Sequence, residues 1–531
     1  MDMMETRRSF LRTAALALPV WLWPGARVAT AAPPLDVRSL GARGDGKTTD
    51  TRTIQQAIDA AAAAGRAVRF PPGEYVSGTL RLRTGTVLQL DKGAALVASR
   101  DDGDFDSPSD RPHETHADEE TSDFRSALLQ GRDVARVRIL GPGRIDGNRD
   151  SRGGPKPIAL ESCQAVEIRG LTIADAGNYA ISLLGCDRVT IEDVDIANGY
   201  ADGIDPDGCR DVLIARCRIE TRDDALCLKT SLSLGVRRAT ERVRVVGCRL
   251  VTRHNAIKLG TESSGDFRDV SIRGCAVGGE RHPWKGNLTA GIALETVDGG
   301  ALERVTVSDV QMTGVRAPIF VRRARRGRGQ RLATPGALRD ISIRGITATG
   351  ALLASSVTGV DGYAVERILL RDIRVVTQGG DPRDTDSLQV PEMESRYPDA
   401  NMFPSLPAHG LYARHVAGLT IENLDLATEG PTGRAAVVLD DVRGARVRSV
   451  AGTTPPVRGA LVWLNDVRDA RIEDLRPRVG STAVARVSGA GTARVRLARR
   501  DGNQVVRVAS EVKSSEVSVD GAPVGARTAR R

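Results

Sequence analysis

Aromatic residues are scarce: Phe, Trp and Tyr together make up 3% of the 531 residues. A thick globular core leans on such rings, so their scarcity argues against one. It also removes the stacking platforms of a nucleic-acid surface, and no basic patch interleaved with aromatics occurs anywhere. Histidine and cysteine are few (six and seven), with no CxxC pair and no His/Cys cluster at zinc spacing. No segment is long and apolar enough to span a bilayer. The net charge of +9 and pI near 9.4 permit an acidic partner, but arginine is spread over the whole chain, so the balance reads as a composition bias. What is abundant is Gly (56 residues) with Val, Ile and Arg, a mixture suited to many short strands and turns.

Those strands repeat. "SCQAVEIRGLTI", "GCDRVTIEDVDI" and "GCRDVLIARCRI" are one phrase written three times; Val166, Val189 and Val212 stand 23 residues apart, as do Cys163, Cys186 and Cys209. The phrase returns as "TERVRVVGCRL", "DFRDVSIRGCAV", "ALERVTVSDVQM", "ALRDISIRGITA", "VERILLRDIRV", "VAGLTIENLDL" and "VRDARIEDLRP", at looser spacing as loops intrude. Each phrase alternates as a strand does and then bends; it is too short for a helix face. A unit this small cannot bury its apolar side alone, but stacked on its neighbours it can. The pattern predicts an all-β, right-handed parallel β-helix with one coil per repeat. Cys163, Cys186 and Cys209 then form one ladder of buried thiols, and Cys217, Cys248 and Cys275 another.

The ends fit a capped stack. "TRRSFLRTAALALPVWLWPGARVATAA" carries Arg7 and Arg8, an apolar stretch and a small-residue site near Ala29-Thr30-Ala31. This reads as a twin-arginine export signal over residues 1–31, removed after transport, and predicts a protein in the periplasm or outside the cell, off the membrane and monomeric. Residues 32–500 read as one β-helix domain, with a helix near Thr51–Ala64 closing the first coil. Residues 501–531 read as a C-terminal cap or loose tail.

Two stretches then carry a resemblance. "LGARGDGKTTDTRTIQQAIDAA" with "FPPGEYVSGTLRL" resembles the start of pectin-degrading β-helix enzymes. "YADGIDPDGC", "RDDALCLK" and "RHNAIKLG" resemble successive motifs of family 28 glycoside hydrolases, the polygalacturonase family, and keep Asp202, Gly203, Asp223, Asp224 and His254. The resemblance covers roughly residues 36–426. It implies an inverting hydrolase in which Asp223 is the general acid and Asp202 with Asp224 activate water, with no cofactor or metal and a polysaccharide or oligosaccharide as partner. Departures are visible. The family's Asn is Tyr200, both glycines flanking the histidine are replaced, and the Arg-Ile-Lys that grips a uronate carboxylate aligns with Ala293-Leu294-Glu295. The resemblance therefore leaves the choice between an acidic and a neutral sugar open.

Stacking the repeats predicts a register: Asp202–Asp205 beside Asp224–Cys227, then Asn255–Lys258, then Ala290–Ala293. Ile204, Leu226, Ile257 and Ile292 face inward, while Asp202 and Asp224 face outward on adjacent coils about 4.8 Å apart. Crowded carboxylates hold at least one proton near neutral pH, and glycoside hydrolysis needs one protonated and one ionised carboxyl. Backbone-capping turns are the bland alternative for the same aspartates. His254, Lys258 and Glu295 read as substrate-binding candidates, each with a solvated alternative. The basic run 320–331 reads as a groove wall or a solvated loop, and Tyr397, Met402 and Phe403 as a wall for sugar stacking. Two other functions share this pattern: a polysaccharide lyase with calcium on the aspartates and Lys258 as base, and a non-catalytic carbohydrate-binding β-helix.

Overall fold

A computed structural model describes residues 32–108, 111–278, 288–379, 389–455, 459–478 and 483–524. Residues 1–31, where the sequence predicts an export signal, and the last seven residues lie outside them. The described residues form a right-handed parallel β-helix. Its strands join in one continuous ladder, all parallel except a terminal hairpin between Val517–Val519 and Ala522–Pro523.

The repeat phrases become stacked coils in the predicted register. Val166 pairs with Val189, Val189 with Val212, and Val212 with Val243. On the neighbouring sheet Ile181, Ile204, Leu226, Ile257, Ile292 and Ile319 form one internal column, almost wholly buried. Each such side chain contributes roughly 1.5–3 kcal/mol by leaving water, which lets small aliphatic residues replace aromatic ones. All seven cysteines are free and buried. Cys163, Cys186 and Cys209 stack as expected, the Cys186 N–H donating to Cys209 Sγ at 3.4 Å.

The arginine content has a structural cause. Each coil bends at a residue in the left-handed region: Arg188, Asp211, Arg242, Asp269, Arg304, Asp340 and Arg367, with φ between 51° and 59°. These residues are adjacent in register and alternate in sign, so no like charges face each other across neighbouring coils. Arg242–Asp211, Arg304–Asp269 and Arg367–Asp340 each pair at 2.7 Å. Exposed pairs of this kind are worth at most about 1 kcal/mol each; their effect is to make the bend tolerable to charge.

At the N-terminal end, Thr51–Ala64 is helical. Its apolar positions Ile54, Ala57, Ile58 and Ala61 recur at helical spacing and are buried. Gly65 ends it with φ 61°, a conformation glycine adopts without penalty. The helix covers the first coil, its Gln55 bonding to Arg81 through both backbone O and N. At the other end, Val505–Val508 and Val517–Val519 extend the ladder.

Candidate functional site

Asp202 precedes the strand Ile204–Asp207, Asp223 and Asp224 precede Leu226–Thr230, and His254 precedes Asn255–Ser263. These are successive coils of one sheet, so loops far apart in sequence open onto one patch. The Asp224 N–H donates to Asp202 Oδ1 at 3.1 Å and to Asp223 Oδ1 at 2.9 Å. Thr221 and Thr252 hold the Asp223 carbonyl from two coils. The doublet thus serves two purposes: Asp224 continues the outward column of Asp202, and Asp223, at the bend, turns toward solvent with a side chain 21% exposed.

The three carboxyls differ sharply in environment. Asp224 is buried, yet Lys258 Nζ lies 2.7 Å from its Oδ2, and the Asn255 N–H and side-chain amide donate to its Oδ1 at 2.9 and 2.8 Å. Burial alone raises its pKa; the ammonium and amide donors outweigh that and bring it below the ordinary carboxylate value. Asp202 goes the other way. Burial first, and the neighbouring Asp205 second, push it well above the carboxylate range against the pull of Lys229. Lys229 Nζ lies 3.1 Å from Asp202 and 3.0 Å from Asp205, so one buried ammonium serves two buried carboxyls. The raised carboxyl is thus Asp202, and burial rather than the crowding expected from the sequence is its first cause. Asp223 accepts from the guanidinium of Arg152, which also grips Glu120.

The remaining sequence candidates fall differently. His254 is exposed, its Nδ1 3.9 Å from Asp223 Oδ1. Lys258 faces outward in register but is buried rather than solvated, because Tyr397 closes over it with its hydroxyl 3.2 Å from Nζ. Glu295 is 1% exposed, not open to a sugar. Burial pushes its carboxyl up to about 8, and Oε2 has no hydrogen-bond partner among the described residues. The basic run divides: Arg322 is buried against Thr358 and Gly359 and Arg326 pairs with Asp298 at 2.5 Å, whereas Arg325 and Arg331 are exposed. Met402 and Phe403, partly buried, pack on Ala290, Ala293 and Phe320, and the Tyr397 ring stays half-exposed above Lys258. Tyr200, in place of the family's Asn, lies under Arg222, whose guanidinium carbon is 4.0 Å from the ring centre.

Sequence reasoning missed Lys229, Asn255, Arg152 and Tyr179, the last lying 4.0 Å beneath the Lys229 ammonium. A signal for Lys229 existed. Alternation in "LCLKT" turns Cys227 and Lys229 outward beside Asp205 and Asp207, where buried acids need a counter-charge. Ligand atoms of Asp202, Asp224 and Cys227 lie within 4.8 Å of one another, but Lys229 and Lys258 already neutralise this group, so the donor set suits ammonium ions better than a metal.

Fold and site together define a class: parallel β-helix proteins of the pectin-degrading type, with stacked carboxylates on one long sheet. The family Glycosyl hydrolases family 28 matches residues 112–394, more than half of the chain, and the chain belongs to that family. A second description, "Rhamnogalacturonase A/epimerase, pectate lyase-like", matches residues 35–99. A "Polygalacturonase" of Ralstonia nicotianae is 24% identical over 335 residues, 51% of this chain and 61% of that protein. A "Probable polygalacturonase" of Vitis vinifera is 25% identical over 256 residues, 43% of this chain and 52% of that one. The chain thus spans about half to three fifths of the length of these curated relatives. The solved exopolygalacturonase of Thermotoga maritima superposes with TM-score 0.55 at 19% identity, covering 74% of this chain and 91% of that one, which supports the fold.

Proposed function

We propose that this chain is an exported glycoside hydrolase that cleaves O-glycosidic bonds of a pectin-like polysaccharide or oligosaccharide with inversion. The observation that carries the reading is the coil register that gathers Asp202, Asp223, Asp224 and His254 on one patch, with the Asp224 N–H donating to both Asp202 and Asp223. Asp223, the exposed member, gives its proton to the leaving glycosidic oxygen as the C–O bond breaks. Asp224, kept ionised by Lys258, takes a proton from the water whose oxygen bonds to the anomeric carbon from the opposite face, and Asp202 orients that water. Asp224 then gives its proton up to solvent and Asp223 takes one back, which resets the pair. Both of its oxygens accept hydrogen bonds in this structure, from Arg152 and from the Asp224 N–H, so substrate must draw Arg152 away before Asp223 donates. Arg7 and Arg8 support export by the twin-arginine route.

A lyase reading loses its base, because Lys258 is buried and bonded to Asp224. The test is incubation of the purified protein with a panel of plant cell-wall glycans, polygalacturonate included, followed by identification of the released sugars. Saturated sugars with new reducing ends, absent with Asp223→Asn, support hydrolysis. Unsaturated products absorbing in the ultraviolet, or no turnover of any glycan, refute it.

A further inference from the structure

The column of alternating charges at the coil bends stops after Arg367. The next two residues in register are Gly418 and Gly444, and charge resumes with Asp469 and Arg494. Both glycines keep the left-handed bend, with φ 81° and 72°. A side chain has room there: a Cβ on Gly444 would meet nothing nearer than Gly418 N at 3.6 Å. Two adjacent bends without side chains leave a groove of about 830 Å³ that crosses five coils, from Arg367 to Arg494. The groove lies on the sheet of Val166, Val189 and Val212, not on the sheet of the acids. Six coil spacings separate Asp224 from the coil of Arg446, about 29 Å along the stack.

The charge of this groove is unbalanced. The residue two positions after each bend faces outward. On five successive coils it is uncharged: Ser271, Thr306, Ser342, Leu369 and Thr420. The next three coils place Arg446, Arg471 and Arg496 there, paired in register with one another and all exposed. Like charges directly opposite on neighbouring strands destabilise a sheet, and these stand about 4.8 Å apart along the stack. Little on the surface offsets them. Arg471 shares Glu473 with Arg448, at 3.1 and 3.8 Å. Among the described residues Arg446 and Arg496 make no ion pair. Six arginines line the groove against two carboxylates, and both carboxylates are taken, Glu422 by Arg371 and Asp469 by Arg494, each at 2.5 Å.

We infer that this groove is a non-catalytic docking surface for an extended polyuronate, whose successive carboxylates meet Arg446, Arg471 and Arg496. One guanidinium per coil, at regular spacing, complements a polymer that carries one carboxylate on each sugar unit, and the guanidinium fork fits a planar carboxylate. No aromatic ring lines the groove, so it lacks the platforms on which nucleic-acid bases stack. The identity of the polymer rests on the glycan-cleaving reading: the chain cut at the acids is also held here, on a different sheet. Two sites joined on one long chain bind it more tightly than either does alone, which keeps the enzyme on its polymer between cuts.

The test reads binding without turnover. Affinity for polygalacturonate and for its carboxyl-reduced counterpart is measured by calorimetry on the full chain carrying Asp223→Asn. It is measured again after adding Arg446→Gln, Arg471→Gln and Arg496→Gln, and in a control that adds Arg216→Gln, Arg242→Gln and Arg304→Gln instead. The control loses the same charge from bends where each arginine is already paired. The expected result is a fall of about tenfold or more in polygalacturonate affinity in the ladder variant, none in the control, and weak, equal binding of the reduced polymer by all three. No binding of polygalacturonate, an unchanged affinity in the ladder variant, an equal fall in the control, or reduced polymer bound as tightly as the acidic one by Asp223→Asn overturns the inference. Duplex DNA bound more tightly than polygalacturonate through the same arginines also overturns it, as does a dimer in sedimentation that the ladder variant dissolves. Removing like charges leaves the ladder variant at least as stable as its parent, which thermal melts check. Failure of hydrolysis on every glycan refutes the proposed function separately.

Discussion

Replacing Lys258 with Met probes the electrostatic centre of the site. Lys258 and Asp224 are each about 5% exposed and 2.7 Å apart. Removing one member of such a buried pair strands the other charge, typically at about 3–5 kcal/mol. The sign with pH follows from the shifts. In the wild type Asp224 lies below its unfolded value, so its contribution is present above the unfolded pKa and is lost as pH falls through the folded one. In Lys258→Met, burial is no longer opposed by the ammonium. The folded pKa of Asp224 then rises above the unfolded value, and the deficit relative to wild type grows from acid toward neutral pH. The stranded charge moves the ionisation of Asp224 upward. Urea unfolding followed by circular dichroism should show the variant near wild type around pH 4 and about 3–5 kcal/mol weaker at pH 7. The activity limb assigned to the base should move alkaline with it. Asp224→Asn with Lys258→Met should recover much of the stability and none of the activity. A single variant as stable as wild type at pH 7, with an unmoved pH–rate profile, refutes the pairing argument.

Glu295→Gln should stabilise the fold more at pH 8 than at pH 5. A buried carboxyl raised to about 8 contributes fully below its unfolded pKa and loses that contribution as pH rises through 8, a difference of up to about 4 kcal/mol that urea unfolding at the two pH values reads directly. Arg152→Ala, which frees Asp223 and Glu120, should raise turnover of a carboxyl-reduced oligomer relative to an acidic one, and an unchanged ratio of kcat/KM counts against displacement of Arg152 by substrate. With seven buried free thiols, a thiol reagent should label almost nothing in the native protein and all seven cysteines after denaturation; a count below seven without reductant that reductant restores to seven would indicate disulfides instead.

The coils were legible because their signal is repetition. The valine and cysteine intervals fixed which residues face inward and which aspartates share a patch, and Asp202, Asp223 and Asp224 fall together for that reason. What repetition does not encode is what covers the sheet. Tyr397 reaches Lys258 across 139 residues and Arg152 reaches Asp223 across 71, so the burial of Lys258 and Glu295 and the engagement of Asp223 depend on loops outside the repeat. The same limit explains the arginines. A run such as "VRRARRGRGQR" looks solvated in sequence, but Arg322 and Arg326 are spent inside the loop packing.

The account depends most on Asp223 delivering a proton to a glycosidic oxygen at the point where three coils converge. The direct measurement is kcat for release of reducing ends by wild type and Asp223→Asn on the glycan that the panel identifies, with folding matched by circular dichroism. Loss of a positioned general acid removes about 10²–10⁴ in rate, and a drop in that range with little change in KM is the expected result. A variant that turns over at the wild-type rate contradicts the account.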